Sequence, residues 1–207
     1  MLTMRLLGIS LSLIICMAVS SVEAQTFNKT VLDSTGEALE AGVEYYIRPA
    51  VTDFGGRFTL IRRSAGSCPF YVGQENSDAS EGLPVVFTPF SDEGDALIRE
   101  SRDVKFAFSA VTICVQSTAW KVGDTDTTTG RRFILTGQSD SIEFPISNYF
   151  RIIGTERESV YTLAWCPTEV CPACRLRCGD VGPLVDDGKR FSALDGTFVL
   201  PVVFHRA

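Results

Sequence analysis

The sequence predicts an all-β domain, either a sandwich or a barrel. Apolar and aromatic runs are short and recur along the chain. Gly, Asp and Ser turn formers separate them. After the first twenty-four residues no long stripe of 3.6-residue period appears. Fourteen Phe and seventeen Gly in 207 residues suit many short strands joined by tight turns.

The predicted strands follow in order. Tyr45–Ile47, Phe58–Ile61, Tyr71–Val72, Val85–Phe87 and Val104–Phe108 come first. Val111–Val115, Phe133–Leu135, Phe150–Ile153, Val160–Trp165 and Phe198–Phe204 complete the set. Val104-Lys105-Phe106-Ala107-Phe108 alternates, as a half-buried strand should. Turns are predicted at Asp53–Gly56, Ser64–Ser67, Asp92–Asp95, Gly123-Asp124, Thr129-Gly130, Asp187-Gly188 and Asp195-Gly196. No stretch has linker composition, so residues 25–207 read as one domain. Three stretches of roughly equal length could each hold four strands, but periodicity alone does not choose between sandwich and barrel.

Residues 1–24 read as a signal peptide. Arg5 supplies a positive start, Leu6–Val19 a short apolar run, and Val22 and Ala24 a small-residue cleavage site before Gln25. The run is short of the roughly 20 apolar residues that a membrane span needs. The mature chain is therefore expected to be secreted, without membrane contact. Asn28-Lys29-Thr30 is a glycosylation sequon beside the new N-terminus. The net charge of −6, with no basic stripe, argues against nucleic acid as a partner.

Beyond the leader there are six cysteines: Cys68, Cys114, Cys166, Cys171, Cys174 and Cys178. An even set in a secreted chain reads as a disulfide framework, and six cysteines allow fifteen pairings. Zinc would prefer two spaced pairs, whereas four of these six are almost continuous. No metal or other cofactor is expected. The single histidine, His205, lies three residues from the end, and any Ser-His-Asp or Cys-His arrangement would depend on it. Phosphate-loop, H-E-x-x-H and EF-hand motifs are missing. Asp186-Asp187 and Asp92-Glu93 sit in turn-like, solvated stretches. The chain therefore reads as a rigid binding module, not an enzyme, and as a monomer.

Val31-x-Asp33-x2-Gly36-Glu37-x-Leu39-x5-Tyr45-x-Ile47 resembles the N-terminal signature of the plant Kunitz-type (soybean trypsin inhibitor) family. Phe54-Gly55-Gly56, Ser67-Cys68-Pro69, Gly82-Leu83-Pro84-Val85, Val104-Lys105-Phe106 and Cys114 follow in the family's order. So do Trp120, Phe150-x-Ile152, Cys178–Gly182 and Val202-x-Phe204, so that the resemblance spans the mature chain. The cluster with Cys171-x2-Cys174 resembles the miraculin-like branch. The resemblance implies a β-trefoil, with pairs Cys68–Cys114 and Cys166–Cys178 and, nested within, Cys171–Cys174. It also implies a secreted plant protein, extracellular or apoplastic or else vacuolar, that inhibits a protease by presenting a rigid loop. A serine protease is the first expectation, with cysteine and aspartic proteases as alternatives. The competing reading is a defence, storage or taste-type binding protein that keeps only the scaffold.

By that resemblance the reactive loop is Thr88–Asp95, and Phe90, Ser91, Asp92 and Glu93 are its candidate contact residues. The position that carries Arg or Lys for a trypsin pocket falls on Asp92, followed by Glu93. Like charge at the pocket and the desolvation of Asp92 both oppose trypsin. The loop-supporting asparagine maps to Ala41. Phe90, in a shifted register, suits the apolar slot of a chymotrypsin-type protease. Arg62-Arg63 and Arg131-Arg132 are secondary candidates, read first as solvated charge.

Overall fold

A computed structural model describes residues 29–91, 96–141 and 145–207. The predicted leader and Asn28 lie outside the described residues, as do Asp92 and Glu93. Thirteen strands among the described residues carry the fold. Six close a barrel in the order β9 (Tyr161–Trp165), β13 (Val202–Arg206), β1 (Tyr45–Pro49), β4 (Val85–Pro89), β5 (Val104–Phe108), β8 (Tyr149–Gly154), with β8 pairing back onto β9. Three hairpins cap one end: β2 (Phe58–Ile61) with β3 (Tyr71–Gln74), β6 (Trp120–Thr125) with β7 (Arg132–Thr136), and β11 (Gly182–Asp186) with β12 (Lys189–Ala193). The inner hairpin strands pair among themselves, β12 with β3, β12 with β7 and β3 with β7. β10 (Gly179–Asp180) adds a short edge to β9. Each third of the chain thus gives two barrel strands and one hairpin, which is a β-trefoil.

Period-two burial explains why these segments are strands. Tyr45 and Ile47, Val85 and Phe87, Phe106 and Phe108, Phe150 and Ile152, Tyr161 and Leu163, and Val202 and Phe204 all turn inward. Phe87 meets Phe106 edge-on at 4.9 Å and Phe204 at 5.6 Å, filling the barrel with the T-shaped contacts that rings prefer. Trp120 closes the capped end, stacked on Phe58 at 5.6 Å. The cap has its own small core. Tyr71, Phe133 and Phe191, one from each hairpin, form a triangle with every ring-centroid distance 5.5 Å. That triangle shows the threefold repeat most directly.

The cysteines form Cys68–Cys114, Cys166–Cys178 and Cys171–Cys174. Their sulfurs are all committed, so the cluster holds no thiolate for zinc.

Three sequence expectations need correction. Val111–Val115 is not a strand, because its apolar side chains face solvent and find no sheet partner. Gly123-Asp124 is not a turn; it lies within β6, where the register to β7 shifts between Val122 and Thr125. Phe198–Phe204 is a strand only from Val202. The Asp187-Gly188 turn is as expected, with φ of 47° and 69°, the left-handed pair that a two-residue hairpin loop requires.

Candidate functional site

The candidate loop leaves β4 after Pro89 and returns at Ala96 on its way to β5. β4 and β5 pair from Val85↔Phe108 to Pro89↔Val104, which sets the loop on a rigid ladder. The N-terminal segment runs beneath as a strap. Gly42 N–H donates to the Phe87 carbonyl (3.0 Å) and Ala41 N–H to the Ala96 carbonyl (2.6 Å), so two adjacent residues hold both feet. Glu40 bridges to Leu97, Ile98 N–H donates to the Leu39 carbonyl (2.8 Å), and Val31 N–H donates to the Ile98 carbonyl (2.9 Å).

The N-terminal signature is legible in these contacts. Val31, Leu39, Tyr45 and Ile47 are fully buried and nail the strap to the core. Asp33 Oδ1 accepts from Thr35 N–H, Thr35 Oγ1 and Glu37 N–H, and Gly36 turns at φ 86°. Burial pushes the Asp33 carboxyl up, but the Thr35 and Glu37 donors outweigh it and hold it below its usual range. Tyr45 Oη accepts from Glu40 N–H at 3.0 Å. The position mapped to the family's asparagine, Ala41, supports the loop through its backbone alone.

A second support was not foreseen in the sequence. Phe90 N–H donates to the Asp103 carbonyl at 2.8 Å. The buried Asp103 carboxylate accepts from Arg151 Nε (2.6 Å), Glu169 N–H (2.7 Å) and Val170 N–H (3.0 Å). Asp103 N–H donates to Glu169 Oε2 at 2.9 Å, and Arg102 pairs with Glu169. Glu169 and Val170 belong to the segment spanned by Cys166–Cys178. The disulfide cluster is therefore wired to the candidate loop through one aspartate. An acidic residue just before a buried strand, with an arginine on the next barrel strand, was the signal that could have found it.

Of the candidate contact residues, Phe90 and Ser91 are described. The Phe90 side chain is 42% exposed, with its ring edge-on to Tyr149 at 5.3 Å. Ser91 Oγ accepts from Arg102 at 3.2 Å.

Both arginine pairs are engaged by the fold. Arg131 reaches the carbonyls of Leu194 (2.9 Å), Pro183 (3.0 Å) and Ala193 (3.0 Å). Arg132 makes a two-pronged contact with Asp195 at 2.7 and 2.8 Å and holds that carboxyl below its usual range. Arg63 binds Asp126 at 2.6 Å, and its hydrogen bond drives the Asp126 carboxyl well below the usual carboxylate range. The guanidinium of Arg62 lies 4.8 Å above the Phe70 ring. These arginines lace the hairpins together.

His205, on β13, lies 2.9 Å from Ser34 Oγ through Nδ1. Burial, with Arg48 and Arg57 nearby, holds it below its usual range. The other ring nitrogen, Nε2, is buried without a hydrogen-bond partner.

Comparison with known proteins agrees with this geometry. Residues 31–206 match the legume Kunitz family, described as trypsin and protease inhibitors. A Kunitz type trypsin inhibitor of Medicago truncatula is 44% identical over 186 residues, 89% of this chain and 90% of the relative. Miraculin of Synsepalum dulcificum is 36% identical over 172 residues, 79% of this chain and 77% of miraculin. The solved structure of a Kunitz-type cysteine protease inhibitor from potato superimposes with a TM-score of 0.73 at 31% identity, over 87% of this chain and 98% of that one.

Proposed function

The chain belongs to the legume Kunitz family of trypsin and protease inhibitors, and from that premise we propose that it is a secreted, non-catalytic endopeptidase inhibitor acting through the loop between β4 and β5. The observation that carries this reading is the double support of the loop. The strap of residues 40–42 ties both feet, and Asp103 ties Phe90. A loop ordered before binding loses little conformational entropy on association, which is what an inhibitor that behaves as a bound substrate needs.

The pocket-filling residue is Phe90, and the target is a serine protease with an apolar primary pocket of chymotrypsin type. Asp92 makes trypsin a poor target, since its charge repeats that of the trypsin pocket. Residues 1–24 serve as the leader. The mature chain from Gln25 works as a monomer outside the cell or in the vacuole and carries glycan at Asn28.

The test is inhibition of trypsin, chymotrypsin, papain and an aspartic protease by the purified mature chain. Competitive inhibition of chymotrypsin that is lost in Phe90→Asp supports the reading. Inhibition of none of the four favours the scaffold-only alternative, which Ala41 and Asp92 would then explain.

A further inference from the structure

Two consecutive residues hold the two sides of the Phe90–Ser91 bond. Asp103 accepts the Phe90 N–H on its carbonyl at 2.8 Å. Arg102 donates through Nη2 to Ser91 Oγ at 3.2 Å. The first contact lies on the acyl side of the bond and the second on the amine side. Neither contact runs through the bond, so both can outlast its cleavage. The acyl side has further support, because Pro89 pairs with Val104 at the end of the β4–β5 ladder. On the amine side the next described foothold is Ala96, whose carbonyl accepts from Ala41 N–H at 2.6 Å.

Arg102 is itself held in place. Ser101 sits at φ 61°, a left-handed conformation uncommon outside glycine, and its N–H donates to the Ile152 carbonyl at 2.9 Å. That turn is fastened to β8 and sets the direction in which Arg102 leaves the chain. The guanidinium pairs through Nε with Glu169 Oε1. Glu169 also takes the Asp103 N–H on Oε2 at 2.9 Å and donates its own N–H to Asp103 Oδ2 at 2.7 Å. One glutamate thus grips both residues that hold the loop. The Arg102 and Glu169 side chains are only 27% and 26% exposed, which shields their pair from full solvent screening. A guanidinium fixed in this way loses little entropy when a second nitrogen engages Ser91.

We infer that Arg102 is a positioning residue that keeps the Ser91 amine in place after a protease opens the Phe90–Ser91 bond, so that the bond re-forms and the chain is not consumed. The inference rests on the reading of Phe90 as the pocket-filling residue. In that register the protease serine oxygen adds to the Phe90 carbonyl carbon. The Phe90–Ser91 carbon–nitrogen bond breaks, and Ser91 leaves as an amine that takes its proton from the protease histidine. The product is an ester between Phe90 and the protease. Water can hydrolyse that ester to a Phe90 carboxylate, which leaves a cut chain. The Ser91 amine can instead attack the ester carbon, return its proton to the histidine and expel the serine oxygen, which restores the chain. An amine held beside the ester reacts at high effective concentration, whereas a drifting one loses to water. Arg102 biases that competition through the hydroxyl of the residue that carries the amine. Lysine does not replace it, since one ammonium lacks the rigid fork that addresses Glu169 and Ser91 with separate nitrogens.

The probe is chymotrypsin in catalytic amount, incubated with the mature chain, with cut chain followed by mass spectrometry. The unmodified chain should stay almost wholly intact. Arg102→Ala should be cut at Phe90–Ser91 about tenfold faster or more, and Arg102→Lys should resemble it. Initial inhibition should weaken by no more than about fivefold, since a part-exposed polar contact contributes little affinity. Ser91→Ala should be cut as fast as Arg102→Ala while the Arg102–Glu169 pair stays whole, and Ser91→Thr, which keeps the acceptor, should last as long as the unmodified chain. Combining Arg102→Ala with Ser91→Ala should add nothing, because both remove one contact. Melting curves separate these effects from loss of fold, which the exposed Ser91 variants should not show. Purified cut chain mixed with chymotrypsin should re-form the intact chain in the unmodified protein and about tenfold more slowly in both alanine variants. Equal cutting rates in Arg102→Ala and the unmodified chain overturn the inference. So does a Ser91→Ala chain as durable as the unmodified one, which would leave Arg102 with a purely structural role. In either case persistent chymotrypsin inhibition keeps the proposed function standing. An unmodified chain that does not inhibit chymotrypsin overturns both.

Discussion

The loop that enters β5 is held by hydrogen bonds at both feet, whereas the loop that leaves it is held at its tip by a disulfide. The first draws its order from the N-terminal strap and from Asp103. The second is closed at its base by hydrogen bonds between Phe108 and Thr118 and adds a covalent anchor, Cys68–Cys114. One β-strand thus separates a loop stiffened by polar contacts from a loop stiffened by a covalent bond. The difference teaches that a trefoil rim can present rigid segments by two independent means, and that each should fail under its own treatment.

The largest expected effect comes from removing Cys68 and Cys114 together as serines. By the loop-entropy account, closing this 46-residue separation contributes about 4 kcal/mol. The melting temperature should drop, while chymotrypsin inhibition should persist below the transition, because the strap still holds the β4–β5 loop. The same double change at Cys171 and Cys174 should cost about 2 kcal/mol, because its loop is far shorter. A larger drop at Cys171–Cys174 would mean that packing, not loop entropy, sets the ranking.

Asp103→Asn should act in the opposite sense. Arg151 and two backbone donors lose their carboxylate, at a cost of about 3 kcal/mol in a denaturant titration. Chymotrypsin inhibition should weaken even where the fold is intact, because Asp103 holds Phe90. Unchanged inhibition by the folded variant would show that Asp103 stabilises the barrel without ordering the loop.

Asp92→Arg should create trypsin affinity, and Ala41→Asn should add to it. Because both act on one loop, a double-mutant cycle should give a favourable coupling of about 1 kcal/mol. Strict additivity would detach residue 41 from loop support.

The smallest effect is at His205. Its folded value lies below its usual 6.5, so the folded chain favours the neutral ring. The resulting stability is complete above about pH 6.5 and is lost as pH falls through the lowered folded value. His205→Gln should flatten the stability profile across that window, and chymotrypsin inhibition should not change. Asp195 adds a separate acid limit. Its folded value is lowered from 3.8 by Arg132, so its contribution is lost only as pH falls below about 4 towards that lowered value.

Much of the barrel was legible in the sequence because its strands alternate cleanly. Val104–Phe108 was found with its observed ends. β6 was missed because Lys121, Gly123 and Asp124 interrupt its apolar face. β12 was missed because Lys189 and Arg190 lead into its buried half. The threefold repeat was hidden because its cap uses one aromatic per third, Tyr71, Phe133 and Phe191, at positions that become neighbours only when the hairpins meet. Val111–Val115 has strand composition, but the disulfide and the missing sheet partner leave it outside the barrel. The strap was visible as a motif, while the use of its backbone at Ala41 to join Phe87 and Ala96 appears only in three dimensions.

The most direct test of the account is inhibition of chymotrypsin by the mature chain and its Phe90→Asp and Ile113→Lys variants. The account predicts competitive inhibition by the unmodified chain, weakened by about thirtyfold or more in Phe90→Asp and unchanged in Ile113→Lys. Inhibition that survives Phe90→Asp, or no inhibition by the unmodified chain, would contradict it.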